Sequence, residues 1–389
     1  MYTIPVMDKG ELRTSVTHAP EHRSGVMSQA DVSTSTATTS DEGALEFAFM
    51  FYSLLDVPFQ DIISAIRKGE EAGVQYAVLG QSAVRDCFVG LSEIAHHTKS
   101  IKLGTNIVPI YTRTPTDLAM SVITLNEVTG GRFQLLGLGT GGRLKIEPNH
   151  GVKVLKPAPR MKEYIEIIRA ILAGERLKYD GEFFQLDNAW VPATHGIGVA
   201  ASDMAQGETV PIYVGATGPK VLHVTGAYAD GVVFNSLSTP EYIEWAKGIL
   251  REGAESVGRD PSEIRMGVSM VMAANPDPEK VWEAAQRACL YYVREEHHQF
   301  TMAKAGLGER HTQIRAAYLK GDVEGAMKLL DEEVLNKIAF VGTPENVRER
   351  IKEYQRLGIS LAVIRHVVDR ETGSDFILDN LEAIAPLIK

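Results

Sequence analysis

The feature that most constrains the fold is an alternation, from residue 46 onward, of short apolar runs with amphipathic stretches. The runs are EFAFMFYS (46–53), YAVLG (76–80), IKLGTNIVPI (101–110), RFQLLGLG (132–139), PIYVGA (211–216), GVVFN (231–235), RMGVSMVMA (265–273) and SLAVIRH (360–366). Strands this continuously apolar are covered on both faces, as parallel strands are. Between them, Ile62, Ile63, Ile66 and Ala72 share one helical stripe, and Met161, Tyr164, Ile165, Ile168, Ile171 and Leu172 share another. Further helices are predicted near 87–98 and 114–130. Eight strands alternating with helices predict an α/β fold, a TIM (β/α)8 barrel over residues 46–389.

Residues 1–45 are read as an N-terminal arm, because SGVMSQADVSTSTATTSDEG (24–43) offers too little apolar surface to offset its ordering entropy. The formal net charge of −10 argues against nucleic acid or an anionic membrane as a partner of the whole surface. Two cysteines, Cys87 and Cys289, have neither metal-ligand spacing nor a disulfide framework. MYTIPVMDKGELR lacks the apolar core of a secretory signal, and no apolar run approaches the ~20 residues of a membrane span. A cytoplasmic enzyme is the expectation.

Helix starts are marked. Thr114-Pro115, Thr239-Pro240 and Thr343-Pro344 place a hydroxyl before a proline, and Asp260-Pro261 and Asp277-Pro278 place a carboxylate there. Two insertions interrupt the alternation. One follows strand four and holds a hairpin around Asp180-Gly181 and the loop ATHGIGVAASDMAQGE; the other, 279–336, follows strand seven and is largely helical. Both are expected over the barrel mouth, where chemistry sits.

Motifs of side-chain catalysis are missing: no HExxH, GxSxG or GxxxxGK[ST] occurs, and no carboxylate pair stands out. His96-His97 and His297-His298 read as solvated helical residues, and no metal site is expected. Chemistry borrowed from a cofactor fits such a chain. Two glycine-bearing turns end strands. GLGTGGR (137–143) reads alone as a tight turn or a loose GxGxxG; VGATGPKVLHVTG (214–226) joins a strand to a helix start that suits a phosphate or a simple cap.

In order, GTNIVPIYTRTP, LNEVTGGRFQLLGLGTGG, RMKEYIEIIRAILAGE, YDGEFFQL, PIYVGATGPKVLHVTGAYADGVVFN and VGTPENVRERIKEYQRLGI resemble the bacterial-luciferase-like superfamily over about 46–368. The resemblance is to its deazaflavin-dependent group, which includes methylenetetrahydromethanopterin reductase. It implies a hydride-transferring oxidoreductase that uses coenzyme F-420, a deazaflavin, on a small organic substrate. It also implies a bulged third strand with a cis Asn106–Ile107 peptide under the ring. Gly139, Thr140 and Gly141 would lie beside the ribityl and phosphate end, with Ala216, Thr217 and Gly218 around the phosphate. Gln81 stands where these families often carry an aspartate near the ring.

The resemblance leaves the proton donor unidentified; Tyr52, Tyr111 and His150 are substrate-side candidates by position. Gly142 stands where the sugar-phosphate dehydrogenases of the group carry a glutamate, and LLDVPF lacks their His/Trp pair, which argues against glucose 6-phosphate as substrate. A homodimer is implied, with Leu91, Ile94, Leu118, Val122 and Leu125 offered as apolar positions near the interface. Two rivals stay open: an FMN-dependent monooxygenase of the same superfamily, and a non-catalytic flavin-binding or cofactor-free barrel.

Overall fold

The computed structural model describes residues 45–51, 57–81, 85–191, 210–367 and 377–388. The arm, Tyr52 and the loop from residue 193 to 208 lie outside them. In chain order the elements are β1 (Glu46–Met50), α1 (Phe59–Glu71), β2 (Tyr76–Leu79), α2 (Cys87–His97), β3 (Lys102–Pro109), α3 (Pro115–Thr129) and β4 (Phe133–Gly139). There follow α4 (Arg143–His150), α5 (Pro157–Leu172), β5 (Leu177–Asp180), β6 (Gln185–Ala189), β7 (Ile212–Gly215), α6 (Pro219–Tyr228), β8 (Gly231–Phe234) and α7 (Pro240–Glu255). After β9 (Arg265–Ala274) come α8 (Glu279–Val293), α9 (Gln299–Lys304), α10 (Gly308–Leu319), α11 (Val323–Lys328) and α12 (Glu332–Ile338). The chain then forms β10 (Phe340–Gly342), α13 (Pro344–Arg356), β11 (Leu361–His366) and α14 (Leu378–Ile384).

Eight strands close a parallel TIM barrel in the order β1-β2-β3-β4-β7-β8-β9-β11, with β11 pairing back onto β1. The apolar runs are explained by burial on both sides. Ala48, Met50, Tyr76, Val78, Leu135, Tyr213, Val233, Leu361 and Val363 form the filling of the barrel. Alternate residues such as Phe47, Phe49, Leu103, Leu136 and Ile212 pack outward under the helices. Glu46 ties the bottom rim together, pairing with Lys102 at 3.3 Å and Arg265 at 2.8 Å.

The insertion after strand four contains the antiparallel β5–β6 hairpin. Glu163 of α5 holds it, its carboxylate accepting the backbone N–H groups of Glu182, Phe183 and Phe184 at 2.7, 3.0 and 3.1 Å. The insertion after strand seven builds its own core, in which Ala285, Cys289, Val293, Met302, Ile314 and Leu335 pack with Val271 and Ala273 of β9. It is followed by β10, an unanticipated three-residue strand that pairs in parallel with Met272, Ala273 and Ala274 at the end of β9.

Thr114 and Thr343 cap their helices through the N–H groups of Asp117 and Asn346, and Asp260 caps a short 3-10 turn. Asp277 does not cap α8. The helix starts one residue later than expected, leaving Pro278 at the capping position and Asp277 paired with Lys280 at 3.5 Å. The apolar positions expected near a dimer interface are also reassigned: Leu91, Ile94, Leu118, Val122 and Leu125 are all buried in the chain's own core. The inward stripes of α2 and α3 must cover the barrel strands, which uses all five. The exposed apolar side chains of these helices are Val89, Met120 and Val128.

Candidate functional site

Six barrel strands deliver residues to one cavity of about 100 Å3 at their C-terminal ends. That end of a TIM barrel is built from βα loops, so one rigid frame aims side chains from many strands at one point. On β3 the register against β4 shifts between Thr105 and Val108, and the Asn106–Ile107 peptide inside this bulge is cis. Both the bond and the bulge match the expectation from sequence. Asn106 is buried, its Nδ2 donating to Ser269 Oγ on β9 at 3.2 Å and approaching Met50 Sδ at 3.4 Å. The bulge is thereby braced across the barrel.

Asn106, Ile107, Gly139, Thr140, Gly141 and Thr217 all line the cavity. The reason for two of the glycines differs from the one expected. The space of a Gly139 side chain is filled by Ile107, and that of Gly141, whose φ is +68°, by Ile146. The protein's own packing requires them. Gln81 acts on the bulge from behind: its N–H donates to Ile107 O at 3.0 Å, and its Oε1 accepts the N–H of Cys87 at the start of α2 at 3.1 Å.

Ala216 is buried beside the cavity, and Gly218 is the N-cap of α6. Gly218 has no side chain to cap this helix, and among the described residues no side chain is an acceptor for the N–H groups of its first turn. Among the described residues a Cβ at Gly218 would meet Phe300 Cε2 alone, at 3.7 Å. The turn thus has both the donors and the room that a phosphate needs.

Two substrate-side candidates stand elsewhere. Tyr111 is buried outside the cavity, its hydroxyl donating to Leu155 O at 2.8 Å and burial raising its pKa. His150 is the exposed last residue of α4. Neither local pattern carries the tertiary information that places it.

The cover of the cavity was missed in the sequence. Tyr291 and Tyr292 of α8, with Glu295, His297 and His298 beyond its end, form one wall. Lys145 of α4 contacts the Tyr291 hydroxyl, and Arg365 of β11 contacts the Tyr292 hydroxyl. His297 and His298 are not solvated as expected: His298 is fully buried. Its two ring nitrogens have no hydrogen-bond partner among the described residues. Burial drives the His297 pKa down to about 4 and that of His298 well below the usual range, with nearby cations adding to the effect. Both rings are neutral near pH 7. The insertion's core pulls the segment inward, and the stripe Cys289–Val293 was the one local sign that α8 faces the barrel.

Glu295 is 5% exposed and is the one carboxyl group among the described lining residues. It stands over Gly142, where an added Cβ would be 3.2 Å from Glu295 Oε2. Among the described residues, no group of three or more His, Cys, Asp and Glu is placed to hold a metal ion. Nor is any described helix long and apolar enough to cross a membrane.

Residues 23–361 match the model of a family described as luciferase-like monooxygenase. The chain is 32% identical to the 5,10-methylenetetrahydromethanopterin reductase of Methanolobus tindarius over 287 residues, 72% of this chain and 81% of that one. With the enzyme of the same name from Archaeoglobus fulgidus, identity is 29% over 314 residues, 79% and 90% of the two chains. The structure of the coenzyme F-420-dependent tetrahydromethanopterin reductase from Methanopyrus kandleri superposes with a TM-score of 0.75 at 25% identity. That match covers 89% of this chain and all of that one.

Proposed function

The chain belongs to the luciferase-like monooxygenase family, and from that premise we propose that it is an oxidoreductase moving a hydride between coenzyme F-420 and a small organic substrate. The observation that carries the reading is the mouth itself. A braced bulge on β3 faces the glycine-bearing end of β4, and the uncapped start of α6 lies at the same rim. The name of the Methanopyrus kandleri enzyme, a coenzyme F-420-dependent reductase, supports the deazaflavin over FMN.

When bound, a deazaflavin supplies a ring carbon that gives or takes a hydride, in place of the flavin nitrogen that also serves oxygen chemistry. The protein's work is then positioning and exclusion of water. Asn106 and Ile107 offer a rigid platform, Gly139 to Gly141 a backbone edge, and Thr217 with the first turn of α6 the donors for a phosphate. The cavity of about 100 Å3 is smaller than the ~300–1,000 Å3 of pockets that hold such ligands. Binding therefore displaces covering side chains, and the Lys145–Tyr291 contact is one that ties α4 to α8.

A titration of the purified protein with coenzyme F-420 and with FMN tests the reading. Binding of the deazaflavin at least tenfold tighter than FMN is expected. The reverse order would favour the monooxygenase, and failure to bind either would favour a cofactor-free barrel. A homodimer is part of the proposal, with exposed Val89, Met120 and Val128 on α2 and α3 as its apolar contribution. A monomer by light scattering at micromolar concentration contradicts that part.

A further inference from the structure

We propose that Asn235, immediately after β8, donates a hydrogen bond to the carbonyl-bearing edge of the cofactor ring and so sets which way round the ring lies in the mouth. The proposal rests on the reading of the chain as a deazaflavin oxidoreductase. It starts from the inward-facing positions of the barrel. Val233 belongs to the apolar filling, and side chains two apart along a strand share a face. Asn235 continues that face, and both residues line the cavity. The filling thus ends in an amide where another apolar side chain would fit. β8 pairs in parallel with β9, Phe234 beside Val268, and the next step of that register sets Asn235 beside Ser269. Ser269 is the residue that braces Asn106 of the bulge, and it lines the same cavity.

The pose of the Asn235 amide is fixed by its own turn. The N–H of Ser236 donates to Asn235 Oδ1 at 2.8 Å. A backbone N–H can only donate, so the atom facing it is the oxygen and the other is the nitrogen. Among the described residues Nδ2 has no acceptor, which leaves two N–H groups for the cavity that Asn235 lines. The turn is costly to hold. Leu237 is buried with φ +74°, a conformation that side chains rarely adopt. The Ser236 hydroxyl is fully buried and has no partner among the described residues. Two bonds pin the turn: Ser238 Oγ donates to Asn235 O at 2.7 Å, and the Tyr354 hydroxyl of α13 donates to Ser238 O at 2.9 Å. Strain held in place at a cavity wall keeps a side chain in one pose, and here that side chain is the Asn235 amide.

The pose selects what the amide binds. Two N–H donors need acceptors. The Ser269 hydroxyl beside them accepts from Asn106, and its own O–H finds no acceptor among the described residues. These donors are neutral, so they suit uncharged carbonyl oxygens, while the phosphate has its donors at Thr217 and the start of α6. The pyrimidine edge of a deazaflavin carries two carbonyl groups. Neutral donors for that edge and a separate anchor for the phosphate leave the ring one way round over Asn106 and Ile107.

The test titrates coenzyme F-420 into the full chain and two variants. Asn235→Asp keeps an oxygen for the Ser236 N–H and puts a carboxylate oxygen where the donating nitrogen stood. Its urea-unfolding midpoint should match that of the wild type, while its dissociation constant should rise roughly tenfold or more. Asn235→Ala removes the donor without adding charge. Its affinity should fall about threefold or more, with some stability lost along with the Ser236 bond. At saturation the visible absorbance maximum of the bound cofactor should differ between Asn235→Ala and the wild type, because a hydrogen bond to a ring carbonyl shifts it. Wild-type dissociation constants in both variants would overturn the proposal. So would a loss confined to Asn235→Asp, which is charge repulsion alone, or an absorbance maximum identical in all three proteins. A wild type that binds neither coenzyme F-420 nor FMN would overturn the reading of the chain as a cofactor enzyme, and this inference with it.

Discussion

Ile107 fills the space that a side chain on Gly139 would need: an added Cβ would lie 2.6 Å from Ile107 Cδ1 and 2.7 Å from Cγ1. Gly215, on the next strand, faces the same side chain, with Ile107 Cγ2 3.2 Å from its would-be Cβ. One isoleucine on the bulge of β3 thus explains glycines on β4 and β7. Gly139→Ala should destabilise the protein by about 1–3 kcal/mol, the usual cost of overpacking. Ile107→Ala removes both clashing atoms, so the double variant should cost less than the sum of the two single ones. Additive urea-unfolding energies would show that the two residues do not share this space.

Glu163 offers a test of the hairpin clamp. It is buried and accepts three consecutive backbone N–H groups on the turn of β5–β6. Glu163→Ala leaves those donors without their acceptor, at about 1–3 kcal/mol for each one that water does not reach. The variant should lose at least 1 kcal/mol of stability, and hydrogen exchange at residues 182–184 should quicken before that of β4. Unaltered exchange there would mean that the turn holds its shape without the clamp.

The barrel was legible in the sequence because parallel strands are apolar on both faces, so runs such as GVVFN and SLAVIRH stand out without an alignment. The cis bond at Asn106 was legible only through the order of motifs around it. The cover was not legible. VREEHHQF has the composition of a solvated helix, and what buries His298 is the tertiary core of α8 to α12, to which residues far along the chain contribute. Leu91 and Leu125 failed in the opposite sense: an apolar stripe on a barrel helix is used up by the barrel before any partner can claim it.

His366 makes stability depend on pH. It is 6% exposed at the end of β11, and Nδ1 lies 3.0 Å from Asn380 Nδ2. Asn380 Oδ1 accepts the N–H of Ala274, so its amide nitrogen faces the ring and makes Nδ1 an acceptor. Burial pushes the His366 pKa down to about 3. The unfolded chain takes up a proton near pH 6.5 while the folded one does not. The contribution is therefore complete above pH 6.5 and is lost as the pH falls from there towards 3, at up to about 1.4 kcal/mol per pH unit. The gap in stability between wild type and His366→Gln, measured by urea unfolding, should narrow or change sign across pH 6.5 to 5. A gap independent of pH would mean that His366 titrates normally in the folded protein.

The start of α6 gives the sharpest test of the phosphate site, because one substitution should move stability and binding in opposite directions. Gly218 has φ −94° and ψ 153°, a backbone that any residue adopts at an N-cap, and the space beyond its Cα is open up to Phe300. Gly218→Asp therefore fits, and aspartate is a preferred capping residue, so stability should hold or rise by a few tenths of a kcal/mol. Its carboxylate would take the same N–H groups that a phosphate needs and add a charge that repels a dianion. The helix dipole would soften that repulsion without restoring the donors. Cofactor affinity should fall tenfold or more, at least about 1.4 kcal/mol. Thr217→Val removes a hydroxyl at the cavity edge without adding charge. Its loss should be smaller, about 0.5–1.5 kcal/mol, rising to about 3 if the lost bond is to a charged oxygen. Dissociation constants unchanged in both variants, with native circular dichroism, would move the phosphate away from α6.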